Sequence, residues 1–199
     1  MTGRVNQRLR TRNAIVQGAV EVIRSGGEVT MPEVARTALV SEATAYRYFP
    51  DLASLIREAL GADLFTPAAA LASVASSTDP AQRIAVATEH LLRHVLRYQG
   101  AVRAMISATI TRPGGQLTRP GLRFGLIDEA LAPVADTPEL AQLKRALTVV
   151  VSADALFTLT DLSGLPPDEA IASLVHTATV LTRAFLGPTE AANGEPPPR

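Results

Sequence analysis

The chain has 199 residues, and its 19 basic and 19 acidic side chains give a formal net charge of zero. Because 47% of the residues are hydrophobic and only 19% are charged, the composition excludes an intrinsically disordered protein. The absence of cysteine excludes disulfides, thiol catalysis and cysteine-ligated metal centres. The neutral charge argues weakly against a nucleic-acid ligand, although an average over the whole chain can conceal a local basic patch.

We expect no segment that directs the chain to a membrane. Its first twelve residues are polar and basic, and no apolar run of a signal peptide follows them. The longest apolar stretch, residues 147–162, contains Asp154 and ends near Asp161, so it does not reach the ~18–20 apolar residues of a membrane span. We therefore expect a soluble, cytoplasmic protein with no membrane partner.

The first predicted helix is amphipathic. Residues 12–25 place their apolar side chains on one face, and Gly26 and Gly27 end the helix. Thr30 and Glu33 then form a capping box. In this motif the threonine hydroxyl accepts from the Glu33 amide, and the glutamate reaches back to the Thr30 amide.

Two short helices follow, joined by a tight turn. The first begins after Thr30, and the second begins at the cap residue Ser41 and ends near Phe49. Helices of about two turns are not stable in isolation, so they need the flanking helices, 12–25 and 51–62, as a platform. This arrangement is typical of a helix-turn-helix DNA reader.

The rest of the chain is also predicted to be helical. The same periodicity and cap signals predict helices over residues 80–98, 101–111, 122–134, 137–162 and 167–186. Residues 112–121 are rich in proline and glycine and predict a loop, and residues 188–199 predict a disordered tail. The fold class expected is therefore all-α, with about nine helices.

The second short helix carries side chains suited to nucleic acid. Groups that can donate hydrogen bonds or stack are Ser41, Thr44, Tyr46, Arg47 and Tyr48. Two of the three tyrosines of the chain lie here, whereas Ala45 and Phe49 are spaced four residues apart to face the core. Such groups can bind phosphate or base edges. The alternative is an ordinary helical hairpin with exposed tyrosines.

A longer sequence pattern within residues 10–60 surrounds these two helices. It consists of Thr30-Met31-Pro32-Glu33-Val34-Ala35, then Val40-Ser41-x-x-Thr44-x-Tyr46-x-Tyr48-Phe49-Pro50, then Leu55 and Ile56. In this pattern the chain resembles the N-terminal domain of the TetR-type transcriptional repressors. Members of that family are all-helical homodimers whose first three helices bind DNA. Their remaining helices bind a small-molecule inducer and form the dimer.

The resemblance implies a function as well as a fold. It places a helix-turn-helix DNA-binding domain in residues 1–62 and a helical ligand-binding and dimerisation domain in residues 63–187. The expected partners are a palindromic double-stranded DNA operator, a second copy of the chain and a largely apolar small molecule that releases the repressor. An alternative is a protein of this fold that senses a ligand or binds a protein without reading DNA. Because no phosphate-binding glycine loop or nucleophile elbow is found, we expect neither an enzyme nor a cofactor.

The chain departs from the family pattern at four positions. Leu39 stands where the turn usually has glycine, and Ala43 replaces a glycine common in the recognition helix. Glu42 and Leu52 stand where lysine is frequent and meets phosphate. We therefore expect fewer phosphate contacts than in a typical relative.

The resemblance also implies roles for individual residues. It assigns DNA contacts to Thr30, Ser41, Thr44, Tyr46, Arg47 and Tyr48. Thr30 and Ser41 would lie at helix N-termini that favour phosphate, and Tyr46 and Tyr48 would hold phosphates through their hydroxyls. Arg47 is the candidate for a base contact, because a guanidinium can bridge guanine O6 and N7.

Basic residues also cluster at the N-terminus. Arg4, Arg8, Arg10 and Arg12 place four positive charges in twelve residues with no acid, and residues 1–62 carry 8 basic and 6 acidic groups. We predict that Arg8, Arg10 and Arg12 belong to a basic arm that contacts phosphates or an adjacent minor groove. The alternative is a solvated, disordered start of the chain.

Several side chains beyond residue 62 are candidates for a ligand pocket. The candidates are His94, Tyr98, Met105, Phe124, Asp154 and Phe157. His94 and Tyr98 would offer a hydrogen bond, and Asp154 in an apolar helix must be exposed, partnered or at a site. Core packing also explains the apolar candidates. His90 and His94 have a spacing that can chelate a metal, but with only His176 remaining we predict no metal site.

The last two long helices have apolar stripes. The predicted dimer-interface residues are Leu143, Leu147, Val150, Leu174, Ala178, Leu181 and Phe185. Two such helices from each subunit would form a four-helix interface. The alternative is that both stripes face the core of one chain.

Overall fold

The computed structural model describes residues 2–61, 64–111 and 121–187. The α-helices are α1 Thr2–Arg24, α2 Met31–Thr37, α3 Glu42–Tyr48, α4 Leu52–Leu60, α5 Pro67–Ala70, α6 Pro80–Arg97, α7 Gln99–Thr111, α8 Leu122–Ala130, α9 Pro138–Val150, α10 Ala153–Phe157 and α11 Pro167–Leu186. The described residues contain no strand, so the all-α prediction is confirmed. Most of the predicted loop and all of the predicted tail (188–199) lie outside the described residues.

The chain divides into two compact units. The first comprises Met1–Thr66 and His94–Gly121, and the second comprises Pro67–Arg93 and Leu122–Arg199. The first unit therefore contains the four N-terminal helices together with α7. Among the described helices, none is long and apolar enough to cross a membrane.

The core of the first unit is built mainly from aliphatic side chains. Ile15 of α1 and Leu55 and Ile56 of α4 are fully buried, and α1 packs against both α2 and α4. Gly18 allows α1 to pack closely against the C-terminal end of α2, because a Cβ at residue 18 would lie 3.1 Å from the Cβ of Ala38. These contacts form the platform that the two short helices need.

Helix α1 begins ten residues earlier than the sequence analysis predicts. It runs from Thr2, although its apolar stripe begins only near Ile15 and the side chains of Val5 and Leu9 are exposed. Extending a helix is far easier than nucleating one, and no proline interrupts residues 2–14. The basic residues predicted to form an arm therefore belong to α1, and the prediction is corrected in that respect.

The predicted helix 137–162 is interrupted near its middle. Helix α9 ends at Val150, Ser152 is extended at φ −148° and ψ 154°, and its hydroxyl accepts a hydrogen bond from the Ala155 amide at 3.1 Å. A π-helical turn, Thr158–Leu162, follows α10. Serine competes with helix continuation because its side chain can cap a new helix. Apolar periodicity alone did not reveal this break.

The second unit contains a buried cation. Arg83 of α6 is only 5% exposed. Its guanidinium donates to the carbonyl oxygens of Glu129 at 2.7 Å, Ala130 at 2.9 Å and Val74 at 3.0 Å. Two of these carbonyls belong to the last residues of α8, where helical donors run out. Arg83 therefore ties α6 to the C-terminal end of α8.

The turn between α2 and α3 places a leucine in the left-handed region. Leu39 has φ +56° and is 93% exposed. The Val40 amide donates to the Ala35 carbonyl at 3.0 Å, and the Leu39 amide donates to the Arg36 carbonyl at 3.2 Å. This pair of bonds is a Schellman motif, in which the left-handed residue is usually glycine.

Replacing Leu39 with glycine should raise the free energy of unfolding by about 0.5–1 kcal/mol, because glycine adopts positive φ without the Cβ clash. Urea unfolding of the full chain measures the change. Leu39→Ala is the matched control: it removes the exposed side chain but retains the strained backbone, so its stability should stay near that of the wild type. Equal stability of the glycine and alanine variants would show that the backbone at residue 39 is unstrained.

Candidate nucleic-acid interface

Three side chains fix the starts of the short helices. The Thr30 hydroxyl accepts from the Glu33 amide at 3.4 Å, the Ser41 hydroxyl from the Thr44 amide at 3.2 Å, and the Asp51 carboxylate from the Ser54 amide at 2.7 Å. These bonds satisfy helix amides that otherwise lack partners. The caps predicted at Thr30 and Ser41 are confirmed, and Asp51 caps α4 in the same way.

The second half of the predicted capping box is replaced by another interaction. The Glu33 carboxylate forms an ion pair with Arg36 on the same face of α2 instead of turning back to Thr30. The hydrogen bond to Glu33, together with its negative charge, raises the pKa of Arg36 above the ordinary value. Since its charge is matched by a carboxylate, Arg36 adds little net positive potential.

Helix α3 presents one polar face and buries the other. Ala45 and Phe49 are buried, as predicted, whereas Tyr46 and Arg47 are exposed and Tyr48 is half-buried. The Arg47 guanidinium lies 5.7 Å from the centroid of the Tyr48 ring. The exposed face therefore carries a phenol and a guanidinium, the latter supported by stacking.

The cap residue also belongs to this face. Ser41 is exposed, and its hydroxyl lies 2.9 Å from the Thr44 hydroxyl. The two hydroxyls form one small polar group at the N-terminal end of α3. Thr44 is half-buried, so its hydroxyl is held in place by its surroundings as well as by Ser41.

Arg12 contacts residues at the end of α3 and in α4. Its guanidinium lies 4.8 Å from the centroid of the Phe49 ring and forms an ion pair with Glu58 of α4. The sequence did not predict either contact, because no pattern links residue 12 to residues 37 and 46 positions away. Arg12 thus holds α1, α4 and the end of α3 together, whereas Arg8 and Arg10 are exposed on α1.

Comparison with known proteins identifies this arrangement. Residues 15–59, which include α2 and α3, match the sequence model of the bacterial regulatory proteins of the tetR family. These residues form a TetR-type helix-turn-helix domain. The resemblance predicted from residues 30–56 is therefore confirmed.

Two solved structures are similar to most of the chain. A TetR transcriptional regulator from Rhodococcus sp. RHA1 is similar over 88% of this chain and 97% of its own, with 19% identity and a TM-score of 0.57. A protein from Mesorhizobium loti MAFF303099, assigned to the same family, is similar over 89% of this chain and 96% of its own, with 20% identity and a TM-score of 0.33. No curated relative matches the sequence.

Three predicted ligand residues lie in the same unit as the TetR-type domain. The His94 ring lies between Phe65 and Tyr98, with ring centroids 5.0 Å and 4.8 Å away, and Met105 is buried in the core of this unit. These residues form an aromatic and apolar cluster with two hydrogen-bonding groups. Among the described residues, no group of three or more potential metal-binding side chains includes His90 or His94.

The other three predicted ligand residues lie in the second unit. Phe157 is buried, whereas Phe124 is exposed and its ring lies 5.1 Å from the guanidinium of Arg123. The Asp154 carboxylate lies 3.9 Å from the same guanidinium. Asp154 is therefore an exposed and partnered residue, which is one of the outcomes that the sequence allowed.

Most of the predicted dimer stripe faces the core of its own chain. Leu143, Leu147, Leu174 and Ala178 are buried between the helices of one chain, where α9 packs against α11. This is the alternative arrangement that the sequence left open for these residues. Phe185 is exposed, as are Val149 and Val180 on the same two helices. The exposed apolar side chains of these helices therefore differ from most of those predicted.

Proposed function

We propose that this protein is a transcriptional regulator that binds a DNA operator through α3. The observation that carries the proposal is the exposed face of α3, where Tyr46 and Arg47 project from a helix anchored by buried Ala45 and Phe49. A helix of this size fits the major groove, which is about 12 Å wide. Tyr46, Tyr48 and Ser41 then hold phosphates, and Arg47 reads a base.

The regulator acts as a homodimer on a palindromic operator. Two copies of α3 reach successive major grooves only when they are about one DNA turn, ~34–36 Å, apart. Exposed Val149, Val180 and Phe185 on α9 and α11 support an interface between two copies. The resemblance to TetR-type repressors favours a repressor, so we infer that operator binding blocks transcription.

A small molecule releases the operator. His94, Tyr98 and Met105 belong to the same compact unit as α3, and α7, which carries Met105, packs against α4. A largely apolar ligand at this cluster would displace α4, and with it the platform of α3. The ligand can act in this way only if its affinity differs between the DNA-bound and released states.

Selection from random double-stranded DNA with the full-length protein tests the proposal. We expect a palindromic consensus whose half-sites lie one helical turn apart, and binding that weakens steeply as salt rises. A chain that selects no sequence and shows no salt dependence would instead be a ligand-sensing or protein-binding module of the same fold. The features that favour this second function are the exposed Glu42 and the half-buried Leu52, which stand where lysine is frequent in the family.

Removing the hydroxyl of Tyr48 should weaken binding to every DNA sequence alike. A phosphate contact has no base preference, and one hydrogen bond to a charged group contributes about 1.5–3 kcal/mol. We expect Tyr48→Phe to lower affinity by about tenfold or more on both the selected operator and an unrelated duplex. Fluorescence anisotropy on the two duplexes measures this. A loss confined to the operator would contradict the phosphate role.

A further inference from the structure

An unpaired carboxylate lies at the start of the recognition helix. Helices α2 to α4 and their caps carry four acidic residues. Glu33 pairs with Arg36, Glu58 pairs with Arg12, and Asp51 caps α4. Glu42 is exposed and, within this described stretch, is the one acid whose side chain forms neither an ion pair nor a hydrogen bond.

Glu42 shares the exposed arc of α3. At about 100° per residue, Glu42, Ala43, Tyr46 and Arg47 occupy an arc of about 140°, and the buried Ala45 lies outside it. Glu42 and Tyr46 lie one turn apart along one edge of this arc. Ala43 is small, so the N-terminal end of α3 carries no bulk beside Glu42 that would hold the helix away from a groove.

The contribution of Glu42 to the stability of α3 is small. A carboxylate in the first turn of a helix contributes roughly 0.3–1 kcal/mol through the helix dipole. The Ser41 hydroxyl already satisfies the Thr44 amide, so Glu42 is not needed as a cap. A carboxylate that faces DNA is repelled by the phosphates. Its position is therefore unfavourable unless it accepts a hydrogen bond from the DNA.

The major groove offers such donors at two places only. Cytosine presents its N4 amino group and adenine its N6 amino group, whereas guanine and thymine present acceptors that repel a carboxylate. The first residues of a recognition helix are those that reach base edges in helix-turn-helix proteins. A carboxylate has acceptors but no donor, so it cannot also bond adenine N7, and it is suited to the N4 donor of cytosine.

We infer that Glu42 is a specificity residue that accepts a hydrogen bond from cytosine N4 in each operator half-site. The inference rests on the proposed function, because it requires α3 to lie in the major groove. At this position, where many relatives have a lysine that contacts phosphate, Glu42 would contact a base instead. A carboxylate here excludes thymine, whose O4 would face it, so replacing the cytosine should weaken binding about 5- to 100-fold.

DNA selection with three full-length proteins tests Glu42. The wild-type chain is compared with Glu42→Gln, which keeps the shape but adds an amide donor, and with Glu21→Gln, which removes the same charge from the exposed surface of α1. We expect the wild type to require cytosine at one position of each half-site. Glu42→Gln should shift that position towards adenine, since glutamine pairs with adenine N6 and N7. Glu21→Gln should leave the consensus unchanged.

Each outcome decides the inference. An unchanged consensus in Glu42→Gln overturns the role of Glu42 and leaves the proposed function intact, whereas a wild type that selects no sequence overturns both. Glu42→Ala provides a second variant, in which the preference should relax at that position alone. A preference altered at every position would indicate a structural role and would also overturn the inference. Equal thermal unfolding of the variants and the wild type controls for folding.

Discussion

Replacing Arg83 with methionine should lower the free energy of unfolding by about 3–5 kcal/mol. The guanidinium donates to three carbonyl oxygens in the interior of the second unit. A hydrogen bond to a charged group contributes roughly 1.5–3 kcal/mol, and a buried acceptor left without a donor costs about 1–3 kcal/mol. Of the three carbonyl oxygens, the one of Ala130, at the end of α8, should lose the most stability when methionine removes its donor.

Urea unfolding with two comparison variants separates this effect from the loss of a charge. Arg145 is exposed and, within the described part of the chain, its guanidinium donates only to the Gln142 side chain. Arg145→Met should therefore change the free energy of unfolding by no more than about 0.5 kcal/mol. Arg83→Lys keeps the charge but cannot span three carbonyls, so its stability should fall between those of the wild type and the methionine variant. Wild-type stability in Arg83→Met would show that the three bonds contribute nothing net.

Replacing Arg47 with alanine should relax base preference at one position of the operator half-site. A bidentate contact to guanine contributes about 1–3 kcal/mol of discrimination, which corresponds to about 5- to 150-fold in affinity. The guanidinium is exposed and rests against the Tyr48 ring, so it is already extended along the face of α3. Binding to a panel of operators with single base changes measures the effect.

Arg10→Ala provides the contrast for Arg47→Ala. Arg10 is exposed on α1, and a contact from it to phosphate would carry no base preference. Its replacement should weaken all operators alike and lower the slope of log affinity against log salt by about one. An Arg47→Ala variant that discriminates between bases as the wild type does would remove Arg47 from the reading of sequence.

The N-terminal domain was predictable because its determinants are local. Thr30, Ser41 and Asp51 each cap the helix that follows them, and a cap needs only residues within one turn. The buried side of α3 was predictable for the same reason, since Ala45 and Phe49 are one helical turn apart. The α3 face of the candidate site follows directly from these two local rules.

Features set by distant contacts were not predictable in the same way. Nothing near Arg83 in the sequence indicates burial, because its acceptors Glu129 and Ala130 lie 46 and 47 positions away. The ion pair between Arg12 and Glu58 was hidden for the same reason, so Arg12 was assigned to DNA alone. The interruption at Ser152 is a local competition between a cap and a helix, which periodicity does not resolve.

The early start of α1 changes how a nearly neutral chain can hold a polyanion. A flexible basic arm loses conformational entropy when it binds, and that loss offsets part of the electrostatic attraction. Here Arg8 and Arg10 stand on a helix that is already formed before any partner arrives. Each contact made from this helix therefore retains more of its attraction. Pre-organisation of a few positive charges compensates for their small number.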